Sequence, residues 1–226
     1  MKILNLYACL GGNRYKWDEV AKEAGIEIEV TAVELDPELA RMYQERFPND
    51  TVIVADAHQY LLDHYKEFDF IWSSPPCPTH SRARFWSSKG ENTAVDPVYP
   101  DMKLYQEIIF LQNFVDCYWI VENVIPYYTP LLNGSKRGRH IFWSNFGIPY
   151  NISDRKVKIS EGKNEVQKLE IFHNIDLANY KGNQRKDKIA RNLVDYEAGR
   201  TIFETVLGIY KANNANQKSI WDEIEN

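Results

Sequence analysis

The stretch Glu29-Val30-Thr31-Ala32-Val33-Glu34-Leu35-Asp36-Pro37 is an apolar, β-branched run that ends in two carboxylates and a proline. Such a run predicts a strand over Glu29–Val33. Pro37 fits the first turn of a helix, where its missing N–H costs nothing, and Asp36 before it fits the N-cap. The helix runs to about Arg46, with Pro48 just beyond. The β-branched run Thr51–Val54, ending at Asp56, repeats the pattern. Working outward, strands are predicted at Lys2–Tyr7, Asp69–Trp72 and Tyr118–Val121. Helices are predicted at Asp18–Ala24 (stopped by Gly25), Gln59–Tyr65 and Lys103–Val115. This alternation predicts an α/β fold, a mostly parallel sheet with helices on both faces. In such sheets ligands gather at the carboxyl ends of the strands. The turn after Tyr7, Glu34, Asp56, Cys77 and Glu122 all fall there.

After Tyr128 the pattern changes. Arg139–Trp143 and Lys156–Ile159 read as strands of a hairpin-rich region, and residues 152–188 are polar and weakly patterned. Glu197–Tyr210 returns to a helical pattern, with Ile202, Phe203, Val206 and Ile209 on one face. The tail from Asn213 is polar. The reading divides the chain into a main body, 1–146 with 190–212, a small region 147–189 and a tail 213–226.

Composition narrows the function class. A chain of 226 residues with 44% hydrophobic content fits one globular domain with a small appendage. The net charge of −5 argues against coating nucleic acid by bulk electrostatics. Positive charge is nevertheless clustered at Lys136, Arg137 and Arg139, and again at Arg185, Lys186, Lys188 and Arg191. The aromatic content of 13% leaves both core packing and base stacking open. Three cysteines, Cys9, Cys77 and Cys117, form no disulfide framework and no zinc-ligand spacing, so no metal is expected. Met1-Lys2 leads straight into a strand, and no apolar run reaches membrane length. The expectation is a cytoplasmic protein of a bacterial or phage-infected cell, with no membrane partner.

Gly11 and Gly12 lie between the first strand and the first helix, where a glycine turn admits a ligand close to the backbone but equally serves as an ordinary turn. Glu34 at the second strand end suits the two hydroxyls of a ribose, and Asp56 at the third suits an adenine amino group. The plainer reading makes each carboxylate a helix cap, as Asp36 is. The ordered set favours an adenosine-containing cofactor, whereas GxGxxG and GxxxxGK[ST] are both missing. In Ser74-Pro75-Pro76-Cys77-Pro78 the prolines fix the backbone around one thiol at a strand end. A lone cysteine is usually a small buried hydrophobe, but this placement favours a reactive thiol. Glu122, closing the next strand, is its natural acid partner. The alternative is a carboxylate solvated in a loop.

Taken in order, Leu6–Gly12, Val33-Glu34-Leu35-Asp36, Ala55-Asp56, Pro75-Pro76-Cys77, Glu122-Asn123-Val124, Lys136-Arg137-Gly138-Arg139 and Arg191-Asn192-Leu193-Val194 resemble the DNA cytosine carbon-5 methyltransferase family, over about residues 3–145 and 190–209. The resemblance implies a Rossmann-like S-adenosylmethionine-dependent methyltransferase fold with a small recognition subdomain at 147–189. It implies S-adenosyl-L-methionine as cofactor and double-stranded DNA as partner. Cys77 would attack carbon 6 of a flipped-out cytosine, and Glu122 would hold nitrogen 3 and the amino group. Arg139, with Arg137, would bind the cytosine carbonyl oxygen or the nearby phosphate. Cofactor contacts would come from Tyr7, Ala8, Gly11, Gly12, Glu34, Leu35, Asp56, Ala57, Pro75, Asn192 and Val194. DNA contacts would come from Lys136 and from loop 78–100 with Arg82, Arg84, Trp86 and Ser87. The helix after Asn192 would pack on the first helix and complete the cofactor pocket.

The chain departs from the family pattern at several places. Asn5, Tyr7 and Cys9 stand where the family has Asp and a Phe-x-Gly turn. Pro78 and Ser135 replace usual glutamines, and Arg191 replaces a usual glycine. The recognition region is very short, so site choice would be short, relaxed or supplied by a partner chain. Three other readings exist. One is the same chemistry on RNA, and one is a non-catalytic cofactor- or DNA-binding subunit, against which Cys77 and Glu122 speak. The third is a Rossmann oxidoreductase, for which no nicotinamide site is visible.

Overall fold

A computed structural model describes residues 1–83, 98–157 and 164–211. Its strands are β1 (Lys2–Leu6), β2 (Glu29–Glu34), β3 (Thr51–Val54), β4 (Phe70–Ser73), β5 (Tyr118–Val124), β6 (Ser135–Arg137) and β7 (His140–Ser144). Its α-helices are α1 (Trp17–Ala24), α2 (Pro37–Arg46), α3 (Ala57–His64), α4 (Lys103–Phe114), α5 (Glu165–His173), α6 (Lys186–Asn192) and α7 (Tyr196–Val206). Among the described residues the strands form one sheet in the order β3-β2-β1-β4-β5-β7-β6. The first five are parallel, and β7 runs antiparallel to both β5 and β6. The expected mostly parallel, Rossmann-like sheet is what the chain forms.

The period of two along each strand sends alternate residues to opposite faces. Ile3, Phe70, Trp72 and Ile120 join α1 and α7 in one apolar cluster. Leu4, Leu6, Ile71, Trp119 and Val121 join α3 and α4 in the other. Helices therefore cover both faces.

Two boundaries and one expected strand differ most from the sequence reading. β5 does not stop at Val121 but continues to Val124, because the antiparallel partner β7 pairs Glu122 with Phe142 and Asn123 with Ile141. Glu122 thus sits inside a strand. α7 ends at Val206 rather than Tyr210, since Gly208 takes a left-handed φ of 69° and turns the chain. The expected strand Lys156–Ile159 is not formed over its described residues, and Ile159 lies outside them.

Region 147–189 holds more structure than its polarity suggests. It contains α5 and most of α6, whose Leu169, Leu177, Tyr180 and Ile189 pack with Leu10 and Leu39 of the main body. Arg155 ties the region down further: its guanidinium stacks on Phe172 and Tyr196, 4.0 and 3.8 Å from the ring centres, and donates to Asp195. α7 closes the fold at the first turn. Its Gly199 lies so close to the Asn13 carbonyl that an added Cβ would sit 2.2 Å away. Trp17 Nε1 donates to the Gly199 carbonyl at 3.3 Å. No described helix is long and apolar enough to cross a membrane.

The loop after β1 is held by a buried ion pair. Arg14 donates through Nε and Nη2 to both carboxylate oxygens of Asp50, at 3.0 and 2.9 Å, and Tyr43 OH donates to the same carboxylate at 2.9 Å. Both charges are 3% exposed. Removing one member strands the other's charge in a dry site. Asp50→Ala is expected to lower the free energy of unfolding by about 3–5 kcal/mol. Asp18→Ala, which removes Arg14's other, exposed partner, should cost no more than about 1 kcal/mol. Urea unfolding of both variants checks this, and equal losses would refute it.

Candidate active site

The carboxyl ends of β1, β2, β4 and β5, with α6 opposite, enclose a cavity of about 920 Å³. Glu34 forms one end of it. Its Oε2 accepts the Cys9 N–H at 2.8 Å and its Oε1 accepts the Asp36 N–H at 2.9 Å. Each oxygen keeps a further lone pair for a ligand hydroxyl. Burial raises the pKa of this carboxyl, and the backbone donors oppose that rise. Leu35 beside it is 68% exposed and lines the cavity, an apolar face against which a flat base can lie. Asp36 is the α2 cap, its Oδ1 accepting from Glu38 and Leu39 N–H. Asp56 is both cap and wall: Oδ1 accepts from Gln59 N–H, while Oδ2 lies 3.6 Å from Lys103 Nζ.

The other end is built on the proline loop. The rigid Pro75-Pro76 pair carries the chain off β4, and His80 and Ser81 N–H groups both donate to the Cys77 carbonyl at 3.0 Å. Asn123 Nδ2 donates to the Pro75 carbonyl at 2.9 Å, which pins the loop to β5. Cys77 is thereby left half-buried on the cavity wall with Glu122. Burial, reinforced by the Glu122 charge, raises the Cys77 thiol pKa, while Lys188 and Arg139 pull it down. Cys9 also touches the cavity, but burial and Glu34 push its thiol up to about 12.

Glu122 is 7% exposed, and burial pushes its carboxyl up to about 7 against a hydrogen bond with Ser74 and the Arg139 charge. Ser74 Oγ accepts from Trp72 Nε1 at 3.0 Å, which leaves its hydroxyl proton free for Glu122. His140 Nε2 lies 3.4 Å from Glu122 Oε1. Burial and Arg139 hold that imidazole down to about 3, so it is neutral and forms no ion pair.

Of the residues singled out in the sequence, Tyr7, Glu34, Leu35, Asp56 and Ala57 line the cavity together with Pro75, Cys77, Glu122 and Asn192. Ala8, Gly11, Gly12 and Val194 do not; they are buried in packing. A Cβ on Gly11 would meet Phe47 at 2.5 Å, and one on Gly12 the Val194 carbonyl at 2.4 Å, so these glycines serve helix and chain packing. Arg137 is turned away, donating to the carbonyls of Ile148 and Pro149. Arg139 stands outside the lining, yet its charge acts on both Cys77 and Glu122. α7 packs on α1 as expected but contributes no wall residue. Arg82 and Lys136 are exposed, whereas Arg84, Trp86 and Ser87 lie outside the described residues. Asn5, in the place of the family's Asp, is buried and pairs with Asn13 amide to amide.

Several residues escaped the sequence reading. Glu107 is 1% exposed on α4 and binds Tyr7 OH, Ser73 Oγ (2.8 Å) and His58 Nδ1 (2.9 Å) under the cavity floor. Its signal was a carboxylate on the apolar face that Leu104, Ile108 and Leu111 define. Asn183, Gln184 and Lys188 wall the cavity from the region after α5, with Gln184 Nε2 donating to Asp36 Oδ2 at 2.8 Å. No short-range pattern marks Asn183 and Gln184, and Lys188 stood out only as one of a basic cluster. Among the described residues no group of three His, Cys, Asp or Glu side chains could hold a metal ion.

Comparison with known proteins bears on the fold and the family. The chain resembles the methyltransferase EhMeth of Entamoeba histolytica in fold, with a TM-score of 0.51 over 92% of this chain and 98% of that one, at 9% identity. A mutant DNMT2 structure from Spodoptera frugiperda is 29% identical over 54% of this chain, with a TM-score of 0.36. The match spans 35% of that protein's length. No curated protein matches the chain. The family model described as C-5 cytosine-specific DNA methylase matches residues 1–124, more than half of the sequence. The chain belongs to the C-5 cytosine-specific DNA methylase family.

Proposed function

We propose that this protein transfers a methyl group from S-adenosyl-L-methionine to carbon 5 of a flipped-out cytosine in double-stranded DNA, through a covalent adduct on Cys77. The observation that carries the reading is one cavity holding Glu34 and Asp56 at one end and Cys77 with Glu122 at the other. A cavity of this size accommodates a nucleoside-sized ligand and a base together. Glu34 would take the ribose hydroxyls, Leu35 the face of the adenine and Asp56 its amino group. S-adenosyl-L-methionine, when bound, supplies an electrophilic methyl group.

Carbon 5 of cytosine is a poor nucleophile while the ring stays aromatic. The Cys77 thiolate attacks carbon 6 and forms the sulfur–carbon bond. The displaced electron pair moves toward nitrogen 3, which takes the proton of the neutral Glu122 carboxyl. Carbon 5, now enamine-like, would take the methyl group as the methyl–sulfur bond of the donor breaks and its sulfonium leaves as a neutral thioether. A base, assigned to water, then removes the carbon 5 proton, the sulfur–carbon bond breaks, and nitrogen 3 returns its proton to Glu122. Attack comes from above the ring face, so the base must leave the stack first. Arg139 is the arginine assigned to the cytosine carbonyl oxygen, since Arg137 is committed to the 148–149 carbonyls. Arg82 and Lys136 are assigned to DNA phosphates, and region 147–189, alone or with a partner chain, to site choice.

Three outcomes are expected. Cys77→Ser abolishes methyl transfer and the covalent complex with 5-fluorocytosine DNA, read by tritium incorporation and denaturing gels; turnover by the variant would end the assignment. Running the same assay with transfer RNA separates the two substrates. The pair Cys77 and Glu122 works with one proton shared between them, the thiol ionised and the carboxyl neutral. Loss of the first proton therefore sets the rising limb of kcat/KM, with a midpoint near 7, the value of Glu122. Glu122→Gln should replace that limb with one set by the thiol alone and lower the rate by about 10²- to 10⁴-fold. Glu34→Gln should weaken S-adenosyl-L-methionine binding by about 10- to 100-fold, the effect of a hydrogen bond to a charged acceptor; calorimetry with unchanged affinity would count against it.

A further inference from the structure

The cavity contains one electrostatic feature that the family chemistry leaves unused. Of the lysines and arginines lining it, Lys103 stands by Asp56, and Arg191 grips Glu165 through two bonds of 2.8 and 2.6 Å with Asp187 nearby. Lys188 has no carboxylate partner among the described residues. It is not loosely placed, however. It rides on α6, whose Ile189 and Ala190 are buried against the main body, one turn before the anchored Arg191. Lys188 is exposed, yet the anchored helix keeps its uncompensated charge on the wall of the cavity that also holds the Cys77 thiol.

We propose that Lys188 is a positioning residue for Cys77, supplying from α6 the positive charge that holds the thiolate form from which attack proceeds. This rests on the nucleophile reading of Cys77. The groups around the thiol divide by sign. Glu122 from β5 opposes ionisation; Lys188 from α6 and Arg139 from the β6–β7 turn favour it. The cavity's two imidazoles, His80 and His140, both have lowered pKa values, chiefly through burial, and stay neutral. Asp101 and Lys103, also on the cavity wall, bring one charge of each sign. Lys188 therefore offsets the burial that opposes ionisation of Cys77, and the Glu122 charge whenever that carboxyl is ionised. In this protein the compensation comes from the short region before α7, outside residues 1–124 that match the family.

The test is the pH profile of Cys77 alkylation by iodoacetamide, followed peptide by peptide with mass spectrometry in the full chain without cofactor or DNA. Cys117, just before β5 and so at the opposite end of the parallel strands from Cys77, serves as the internal reference. Lys188→Gln should slow Cys77 alkylation about 3- to 10-fold near pH 8 and move its midpoint upward, the effect of losing one nearby charge in a partly screened site. Lys188→Arg should restore the parent profile, and Glu122→Gln should move the midpoint the other way. The Cys117 rate and the melting temperature should not change, since Lys188 is exposed. A Lys188→Gln profile that superimposes on the parent's overturns the proposal, as does failure of Lys188→Arg to restore it. Methyl transfer absent from the parent protein would defeat the functional reading while leaving this measurement intact, because alkylation reports ionisation alone.

Discussion

The hydrogen bond from Asn123 to the Pro75 carbonyl is the constraint on which the site depends. β4 and β5 are already in parallel register, with Ser73 opposite Val121. That register brings the proline loop and residues 122–124 to the same edge of the sheet. It does not fix where the loop goes next, since a chain leaving a strand can splay. The amide of Asn123 removes that freedom, and its own oxygen is occupied by the Val124 N–H. Prolines on both sides of the thiol limit the backbone further. The sulfur is thus positioned by backbone geometry and a buried amide.

The second theme is water exclusion. Burial raises the pKa of Glu34, Glu122, Cys9 and Cys77 alike. What distinguishes them is the local opposition to it. Glu34 is bound by two backbone N–H groups, whereas Glu122 has one hydroxyl and a more distant guanidinium. One carboxylate therefore suits the work of accepting hydrogen bonds, and the other suits exchanging a proton near neutrality. The same residue type is tuned two ways by the number and kind of its donors.

Much of this was legible in the sequence because it depends on local rules. Pro37 after Asp36, Gly25 after Ala24, and the β-branched runs each announce one boundary, and the alternation of strand and helix patterns gives the sheet. The positions of Glu34, Asp56, Cys77 and Glu122 follow from being at or near strand ends. What escaped depends on contacts distant along the chain. Gly11 and Gly12 are small because Phe47 and Val194 press on them, and nothing nearby in sequence says so. α5 and α6 have short, weakly amphipathic patterns and gain their order from Leu10 and Leu39. Arg137 and Arg139 are two residues apart, yet one turns to the 148–149 carbonyls and the other acts electrostatically on Glu122. The β6–β7 turn, where Gly138 takes a left-handed φ of 56°, decides that, and spacing alone does not.

The contact between Gly199 and Asn13 has a consequence for how the chain folds during synthesis. Trp17 and Phe70 lie in the first third of the sequence, and their ring partner Phe203 comes near the end of the described residues. Until that stretch leaves the ribosome, this apolar side of the sheet has α1 but lacks the cover of α7. Closing so long a loop is slow, and a bare aromatic surface of this kind invites association with other chains. The nascent protein therefore spends much of its translation time as a half-clothed sheet, until α7 docks.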